Sequence, residues 1–435
     1  MQLRTTFHSL LATSFIASVQ ACDFHSARIS SRNIIHPIQL STQPINRFCR
    51  SEIISRDDVV VLDNVRVFNG HGLSPPTAVA FSNGHILSAV PLPHRRGSNV
   101  TVIDGAGYTL LPGLIESHAH VTSIEHLELL ASHGVTTVFN PACTTLEQCT
   151  VGARVNGLPT LFSSGNAAMA PNSTHANIFP GTTPETLSTI NDVPDWIQSQ
   201  LSKNASFIKL IVERPNSPSL DNATLAAIVQ QSAGLKMLTV AHQVDHAAAF
   251  TALKSGANQL HHSPMDDVIT AQEAADFYSP PTYNPLKLQT RVYVPTLTMM
   301  RFVEGLSQLN PGSPFGANQS YAVAQASVQA LRKAGVPILV GTDASEAVFP
   351  GAPWFGISTL YELENLVEPG VGMTPREALR AATSDAAFYW GLKDRGAIAP
   401  GLRADLVLVR GDPTKNISVL LDGIEGVWIG GTRVV

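Results

Sequence analysis

Charge is scarce in this chain of 435 residues: Asp, Glu, Lys and Arg make up 14%, against roughly 25% in an average soluble domain. The 28 basic and 33 acidic residues leave a formal net charge of −5, and the Lys and Arg form no cluster. That argues against nucleic acid as a partner, because gripping a phosphate backbone needs a concentrated basic face. Cysteine is scarce too. Cys22, Cys49, Cys143 and Cys149 are too few for a fold built on disulfides. No apolar run reaches the roughly 18 uninterrupted residues a membrane-spanning helix needs, so no membrane partner is expected. What the chain has in quantity is apolar surface, at 44% hydrophobic residues, and that excludes wholesale disorder. Its length suits two or three domains, or one barrel-sized domain with an attachment. An enzyme or a binding protein remains.

Residues 1–21 have the outline of a secretory signal peptide. Arg4 precedes an apolar stretch, Leu10–Ala21, of about 12 residues that closes on Val19-Gln20-Ala21. Two other readings of the leader or arm at 22–56 stay open. Arg28, Arg32, Arg47 and Arg50, with many serines and the single acid Asp23, resemble a mitochondrial transit sequence. Alternatively the segment carries no address and the protein is cytoplasmic. Secretion is the expectation, and a secreted glycoprotein would use Asn-x-Ser/Thr acceptors at Asn99, Asn172, Asn204, Asn222, Asn318 and Asn416. An oxidising compartment would also permit Cys22–Cys49 and Cys143–Cys149 bridges.

From Leu114 onward short apolar runs alternate with helix-like stretches. The runs are LIESHAH (114–120), TTVFN (136–140), TLFSSG (160–165), FIKLIV (207–212), LTVAH (238–242), QLHH (259–262), VYVPTLT (292–298) and PILVGTD (337–343). Helix starts are signalled at Asp221-Asn222, Asp245 and Thr374-Pro375. Stops fall at Gly134, Gly234, Gly256 and Gly335, where a left-handed cap costs least. Near-continuous apolar strands belong to a parallel sheet covered on both faces. Eight strand–helix repeats close a barrel of roughly 250 residues. An open doubly wound sheet is the alternative, but no glycine-rich phosphate loop follows the first strand. The expected fold class is therefore α/β: a (β/α)8 TIM barrel over 112–386. The flanks, 57–111 and 387–435, alternate like antiparallel strands with Asn-Gly and Gly-Gly turns. They are expected to pair into one small β-sandwich domain, since chain ends commonly meet.

A barrel displays its working residues where the strands end. His118 and His120, two residues apart, share a strand face, and Glu116 lies on that face as well. Lys209 interrupts the fourth apolar run, His242 ends the fifth, His262 the sixth and Asp343 the eighth. Taken singly, each has an ordinary explanation: a packed histidine, a lysine reaching solvent, an aspartate capping a helix. Together at one rim they make a metal site of the zinc type. A lysine left buried there without a partner would be costly. Rim loops carry Phe179, Met299, Met300, Trp354, Phe355 and Tyr361; singly each is better explained by ordinary helix–barrel packing, and together they point to an apolar or aromatic substrate. His175, Arg214 and Trp354 are the candidate substrate contacts.

These features resemble the metal-dependent amidohydrolase superfamily, in its imidazolonepropionase-like and prolidase-like branch. The likeness rests on LLPGLIESHAH, FIKLIV, the His242 and His262 strand ends, VGTD and GAIAPGLRADLVLVRGDP, and covers roughly 57–435. It implies two divalent metal ions, zinc foremost, with Lys209 carboxylated by CO2 and bridging them. His118, His120 and Asp343 would hold one ion, His242 and His262 the other. A metal-bound hydroxide would attack an amide or lactam carbonyl, with Asp343 passing its proton to the departing nitrogen. The substrate implied is a small molecule with a C–N bond other than an ordinary peptide bond, or a dipeptide. Decarboxylation or isomerisation on the same ions, lactone cleavage, and a non-catalytic binding protein are the alternatives. A homo-oligomer is compatible with this reading. Two residues depart from the family pattern. Glu116 stands where Asp is common, and His261 precedes His262 where many relatives have Glu. Only one of the adjacent histidines can face the metal, and the match favours His262.

Overall fold

The computed structural model describes residues 59–89, 100–153, 155–178, 185–215, 217–277, 291–309, 319–345 and 351–435. The signal-peptide and leader readings, Cys22 and Cys49, Asn99, Phe179 and Asn318 lie outside the described residues. The chain opens with strands β1 (Val59–Val67), β2 (Thr77–Ser82), β3 (His85–Ser88), β4 (Val100–Asp104) and β5 (Tyr108–Pro112). Among the helices come β6 (Leu114–Glu116), β7 (Val135–Asn140), β8 (Thr160–Ser163), β9 (Ile208–Ile211), β10 (Thr239–His242), β11 (Gln259–His261) and β12 (Val292–Val294). Last are β13 (Leu406–Arg410), β14 (Ile424–Ile429) and β15 (Thr432–Arg433).

The flanking segments do pair. They make one sheet in the order β15-β14-β13-β5-β1-β2-β3, with β4 beside β1. Its hairpins turn at Asn83-Gly84 (φ 51 and 78) and Gly430-Gly431 (φ 53 and 76), the left-handed pairs that match the twist of the strands they join. β13 runs antiparallel to β5, from Leu406 opposite Pro112 to Arg410 opposite Tyr108. The all-antiparallel expectation needs correction: β4 and β5 both run parallel to β1. They follow one another along it, β4 on Val59–Asp63 and β5 on Arg66–Val67, joined by a turn whose Gly105 N–H bonds to Asp63 O at 2.7 Å. Alternate residues divide the faces of this sheet. Leu110, Leu406, Leu408 and Trp428 enter a core of its own with Val60, Leu62 and Phe81. Leu111, Val407, Val409, Val427 and Ile429 enter the larger core shared with the helices.

The remaining strands are parallel: β6, β7 and β8 in one ladder, β9 to β12 in another. Parallel bridges join Ala168 to Leu210, Tyr293 to Ile338 and Ala119 to Ala344. The eighth apolar run, 337–343, departs from expectation in forming the single bridge at Ile338, with that of Ala344 just beyond it, and no regular strand. It still bonds to both neighbours, Leu339 N–H to Tyr293 O and Ser117 N–H to Val340 O, but a left-handed Asp343 (φ 58) breaks the ladder before Ala344.

Helix starts follow the local chemistry. Asp221 and Asp245 cap Asn222–Gly234 and His246–Ser255 with their side chains, and Thr374 with Glu377 caps Pro375–Ala381 reciprocally. The left-handed stop expected at Gly234 falls instead on Lys236 (φ 61), because Leu235 still donates to Gln231 O and carries the turn past the glycine. A separate apolar cluster of Ile115, Phe139, Phe207, Val240, Val292 and Leu339 packs with Trp390, whose ring stacks on Phe139 at 3.6 Å between centroids. Phe207, Lys209 and Ile211 are alternate residues on one strand face. The face that begins in this cluster at Phe207 therefore reaches the cavity described below at Lys209 and Ile211. Cys143 and Cys149 form a disulfide across the loop after β7. No helix among the described residues is long and apolar enough to cross a membrane.

Candidate functional site

The C-terminal ends of the parallel strands converge on a cavity. His118 and His120 follow β6, Lys209 lies within β9, His242 ends β10, His262 follows β11 and Asp343 lies in the eighth segment, and all of them line it. His175, Arg214, Met299 and Met300 line it too. Trp354 does not, and that expectation is corrected. Trp354 and Phe355 belong to the lead-in of helix Ile357–Val367, where Ser358 N–H bonds to Trp354 O. Phe355 stacks on His126 at 4.0 Å, and Tyr361 is exposed on that helix.

Asp343 sits at the centre of the cluster. Its Oδ1 lies 3.0 Å from His120 Nε2 and 3.5 Å from His118 Nε2, and its Oδ2 lies 3.7 Å from His262 Nδ1. The His242 ring meets the His262 ring edge-on at 4.4 Å. The backbone is held in an unfavourable region to achieve this: His262, Thr296 and Asp343 have φ of 74, 50 and 58. Left-handed non-glycine residues cost of order 1–3 kcal/mol each and persist where the surroundings over-determine them. Here Gln243 Nε2 donates to His262 O at 2.7 Å, Thr296 Oγ1 lies 2.9 Å from His262 Nδ1, and Asp343 N–H donates to His118 O at 2.7 Å. Glu116, by contrast, does not reach the cavity. It is fully buried beneath it, where Oε1 accepts from His118 N–H (3.0 Å) and Thr342 N–H (2.9 Å) and Oε2 from Thr359 Oγ1 (2.8 Å). Burial lifts its carboxyl to about 7 against the pull of those donors. It thereby ties the end of β6 to the segment carrying Asp343.

Burial dominates the electrostatics. It holds His118, His242 and His262 well below the usual imidazole range, and the nearby cationic groups, Lys209 among them, push the same way. Neutral imidazoles are the form that binds a metal. Burial also lowers Lys209 to about 7, with Asp343 as the opposing influence. Lys209 Nζ and His118 Nε2 are buried without a hydrogen-bond partner among the described residues. A buried polar atom without a partner is costly, and a cation between these donors would satisfy both. Ligand atoms of His118, His120 and Asp343 all lie within 4.8 Å of one another. Imidazole and carboxylate donors in a buried cluster of this kind suit a divalent ion of the zinc type.

Two supporting residues, Glu213 and Thr296, escaped the reading of the sequence, which weighed His261 only as a rival to His262. Glu213 Oε1 accepts both the backbone N–H and Nδ1–H of His175, each at 2.9 Å, and so presents the His175 ring edge-on to His242 at 4.2 Å. Its one sequence signal is its place directly after the apolar run 207–212. His261 is buried behind the cluster with Nδ1 at 2.7 Å from His118 Nδ1, so it is His262 that faces the cavity. Arg214 on the cavity wall makes no ion pair among the described residues, its nearest polar contact being Nη2 to Gln319 Oε1 at 3.4 Å.

Parallel strands that end in histidines, a buried lysine and an aspartate define a class of proteins built around a divalent-metal cluster. The chain belongs to the amidohydrolase family, whose model matches residues 109–434. It is 26% identical over 313 residues to the ochratoxinase of Aspergillus niger, a match covering 63% of this chain and 59% of that protein. The chain thus matches less than two thirds of that relative's length. Over 107 residues it is 38% identical to the imidazolonepropionase of Deinococcus deserti, which covers 24% of this chain and 25% of that enzyme. Its fold is that of a putative prolidase from Bifidobacterium longum, at 20% identity and a TM-score of 0.74 over 88% of this chain and 95% of that one.

Proposed function

We propose that this chain is a metal-dependent hydrolase of a carbon–nitrogen bond in a small amide or lactam, other than an ordinary peptide bond. In this reading the parallel segments close as a (β/α)8 barrel and the flanking sheet is a second, smaller domain. The observation that carries it is the pair of buried, unpartnered donors, Lys209 Nζ and His118 Nε2, beside the Asp343 carboxylate. His118, His120 and Asp343 would hold one divalent ion, His242 and His262 a second, both zinc, with Lys209 as a carbamate between them. A lysine held near neutrality by burial is partly unprotonated at physiological pH, the state that takes up CO2. Bound there, such ions supply Lewis acidity towards the scissile carbonyl and make water acidic enough to attack it.

The chain's own residues do the rest. Asp343, kept in place by its contacts with His120 and His262, takes a proton from the attacking water and hands it to the departing nitrogen. His175, fixed by Glu213, and Arg214, which makes no ion pair among the described residues, offer hydrogen bonds and positive charge at the cavity wall. The remaining wall is apolar, with Met169, Met265, Met299, Met300 and Val303. An amide with an apolar or aromatic body and one acidic group fits that division. The N-terminal leader supports export from the cell.

The test is amine release from a panel of N-acyl amino acids, dipeptides and lactams by zinc-replete protein, with Asp343→Asn as the blank. About two equivalents of zinc per chain and amide cleavage are expected. Lys209→Ala should be inactive and partly restored by a short-chain carboxylic acid. Failure to bind any divalent ion, or a fully active Lys209→Ala without additive, overturns the reading.

A further inference from the structure

The contact between His118 and His261 carries information about protons. Both rings are fully buried, and their Nδ1 atoms approach to 2.7 Å. Two nitrogens at that separation must share a single proton, one donating and the other accepting. Metal binding decides which: His118 Nε2 can hold a cation only as a bare lone pair, so the shared proton sits on His118 Nδ1 and His261 Nδ1 accepts it. A neutral His261 then carries its own proton on Nε2, 3.2 Å from Gln259 Oε1. That leaves the His118 Nε2 lone pair 3.5 Å from Asp343 Oδ1, with no hydrogen-bond partner among the described residues. A lone pair facing a carboxylate is unfavourable unless a cation lies between them.

We infer that His261 is a positioning residue which selects the metal-binding tautomer of His118, using a neutral imidazole as the acceptor of the Nδ1 proton. This inference rests on the proposed function only in taking the His118–His120–Asp343 cluster to be a metal site. Trp390 supports the arrangement, with its ring edge-on to His261 at 6.4 Å and its Nε1–H donated to Ser117 Oγ at 3.1 Å. The chemistry has a consequence. A carboxylate acceptor would bring a buried negative charge and make His118 more basic. The imidazole brings none, so it orients the ligand without donating charge through it to the ion.

The experiment compares wild type, His261→Leu, His261→Gln and His261→Glu as full chains stripped of metal. Cobalt(II) is titrated in, with visible absorption reading the ligand field and a competing chelator reading affinity. His261→Leu removes the acceptor and is expected to weaken the His118-containing site about 10- to 100-fold. The second equivalent should bind with its affinity unchanged. His261→Gln, whose amide oxygen accepts from His118 Nδ1, should recover most of that loss. His261→Glu should bind more tightly than Gln and shift the absorption bands, because it changes the charge behind His118. Equal affinity and spectra for wild type and His261→Leu would overturn the inference, as would equal losses in Leu and Gln. If His261→Leu does not fold, the order of the Gln and Glu variants decides. Wild type that binds no cobalt sinks the metal reading itself, a distinct outcome.

Discussion

Glu116 offers the sharpest test of how the site is held. Its carboxylate is fully buried and accepts from three donors: the amides of His118 and Thr342 on Oε1 and the Thr359 hydroxyl on Oε2. Glu116→Ala strands all three in a place water does not reach. Leaving a buried donor unmade costs about 1–3 kcal/mol. The hydroxyl can turn elsewhere, so the two amides set the magnitude, about 2–6 kcal/mol in total. Glu116→Gln behaves differently. Its oxygen keeps both amide bonds and its NH2 meets Thr359 Oγ1, which can accept, so the loss of charge assistance is offset by the burial that already favours the neutral acid, and the net change stays within about 1 kcal/mol. Urea denaturation of metal-free protein, followed by tryptophan fluorescence, should place Ala well below wild type and Gln, which lie within about 1 kcal/mol of each other, with unchanged slopes. Cobalt binding to the Ala variant should fall as well, because Thr342 and Asp343 lose their tie to β6. An Ala variant within 1 kcal/mol of wild type, or one more stable than Gln, would refute the reasoning.

Other outcomes can be stated more briefly. Glu362 is raised from 4.5 to about 7 by burial, while Leu297 N–H and the Thr298 amide and hydroxyl donate to it. The native state then binds its proton more tightly than the unfolded chain, so stability should fall as pH rises from 4.5 to 7, by up to about 3 kcal/mol. Glu362→Gln should remove its share of that slope in thermal melts, leaving the share of Glu116, yet be less stable than wild type at pH 5, since its NH2 opposes the Thr298 donors. A Cβ at Gly341 would lie 2.4 Å from Val294 Cγ1 and 3.1 Å from His118 N. Gly341→Ala is therefore expected to cost about 1–3 kcal/mol and to weaken cobalt binding through its push on His118. Replacing both Cys143 and Cys149 by Ser opens a loop with a sequence separation of 6. By chain entropy that loses about 2 kcal/mol, measurable as an equal loss on adding reductant to wild type.

Much of this site could be read from the sequence because its chemistry interrupts a simple pattern. Lys209 breaks an apolar run, and His242, His262 and Asp343 fall where such runs stop. The supports were less visible. His175 and Glu213 are 38 residues apart, and an acid following a strand has no distinguishing mark until the fold brings its partner near. The left-handed backbone at His262, Thr296 and Asp343 has no signature either, because only glycine advertises that freedom. Trp354 was drawn to the cavity by composition, whereas its place is set by the helix that follows it. Glu116 was misplaced by strict strand alternation. β6 ends at Glu116 itself, so the period of two does not carry through to His118 and His120.

The pairing of β5 with β13 has a kinetic side. Thr109 Oγ1 bonds to the carbonyl of Gly411, 302 residues further along, and the two strands match residue for residue between. During synthesis the early strands must wait, with one side of β5 unsatisfied, until residues near 410 have left the ribosome. At about 5–20 residues per second that is tens of seconds. Such an edge invites mispairing while it waits, and closing so distant a contact is slow. The finished sheet thus works as a seal set late. The late-made β13 governs whether the earlier strands are protected, and yield in a heterologous host should be more sensitive to changes in β13 than to changes at the metal cluster.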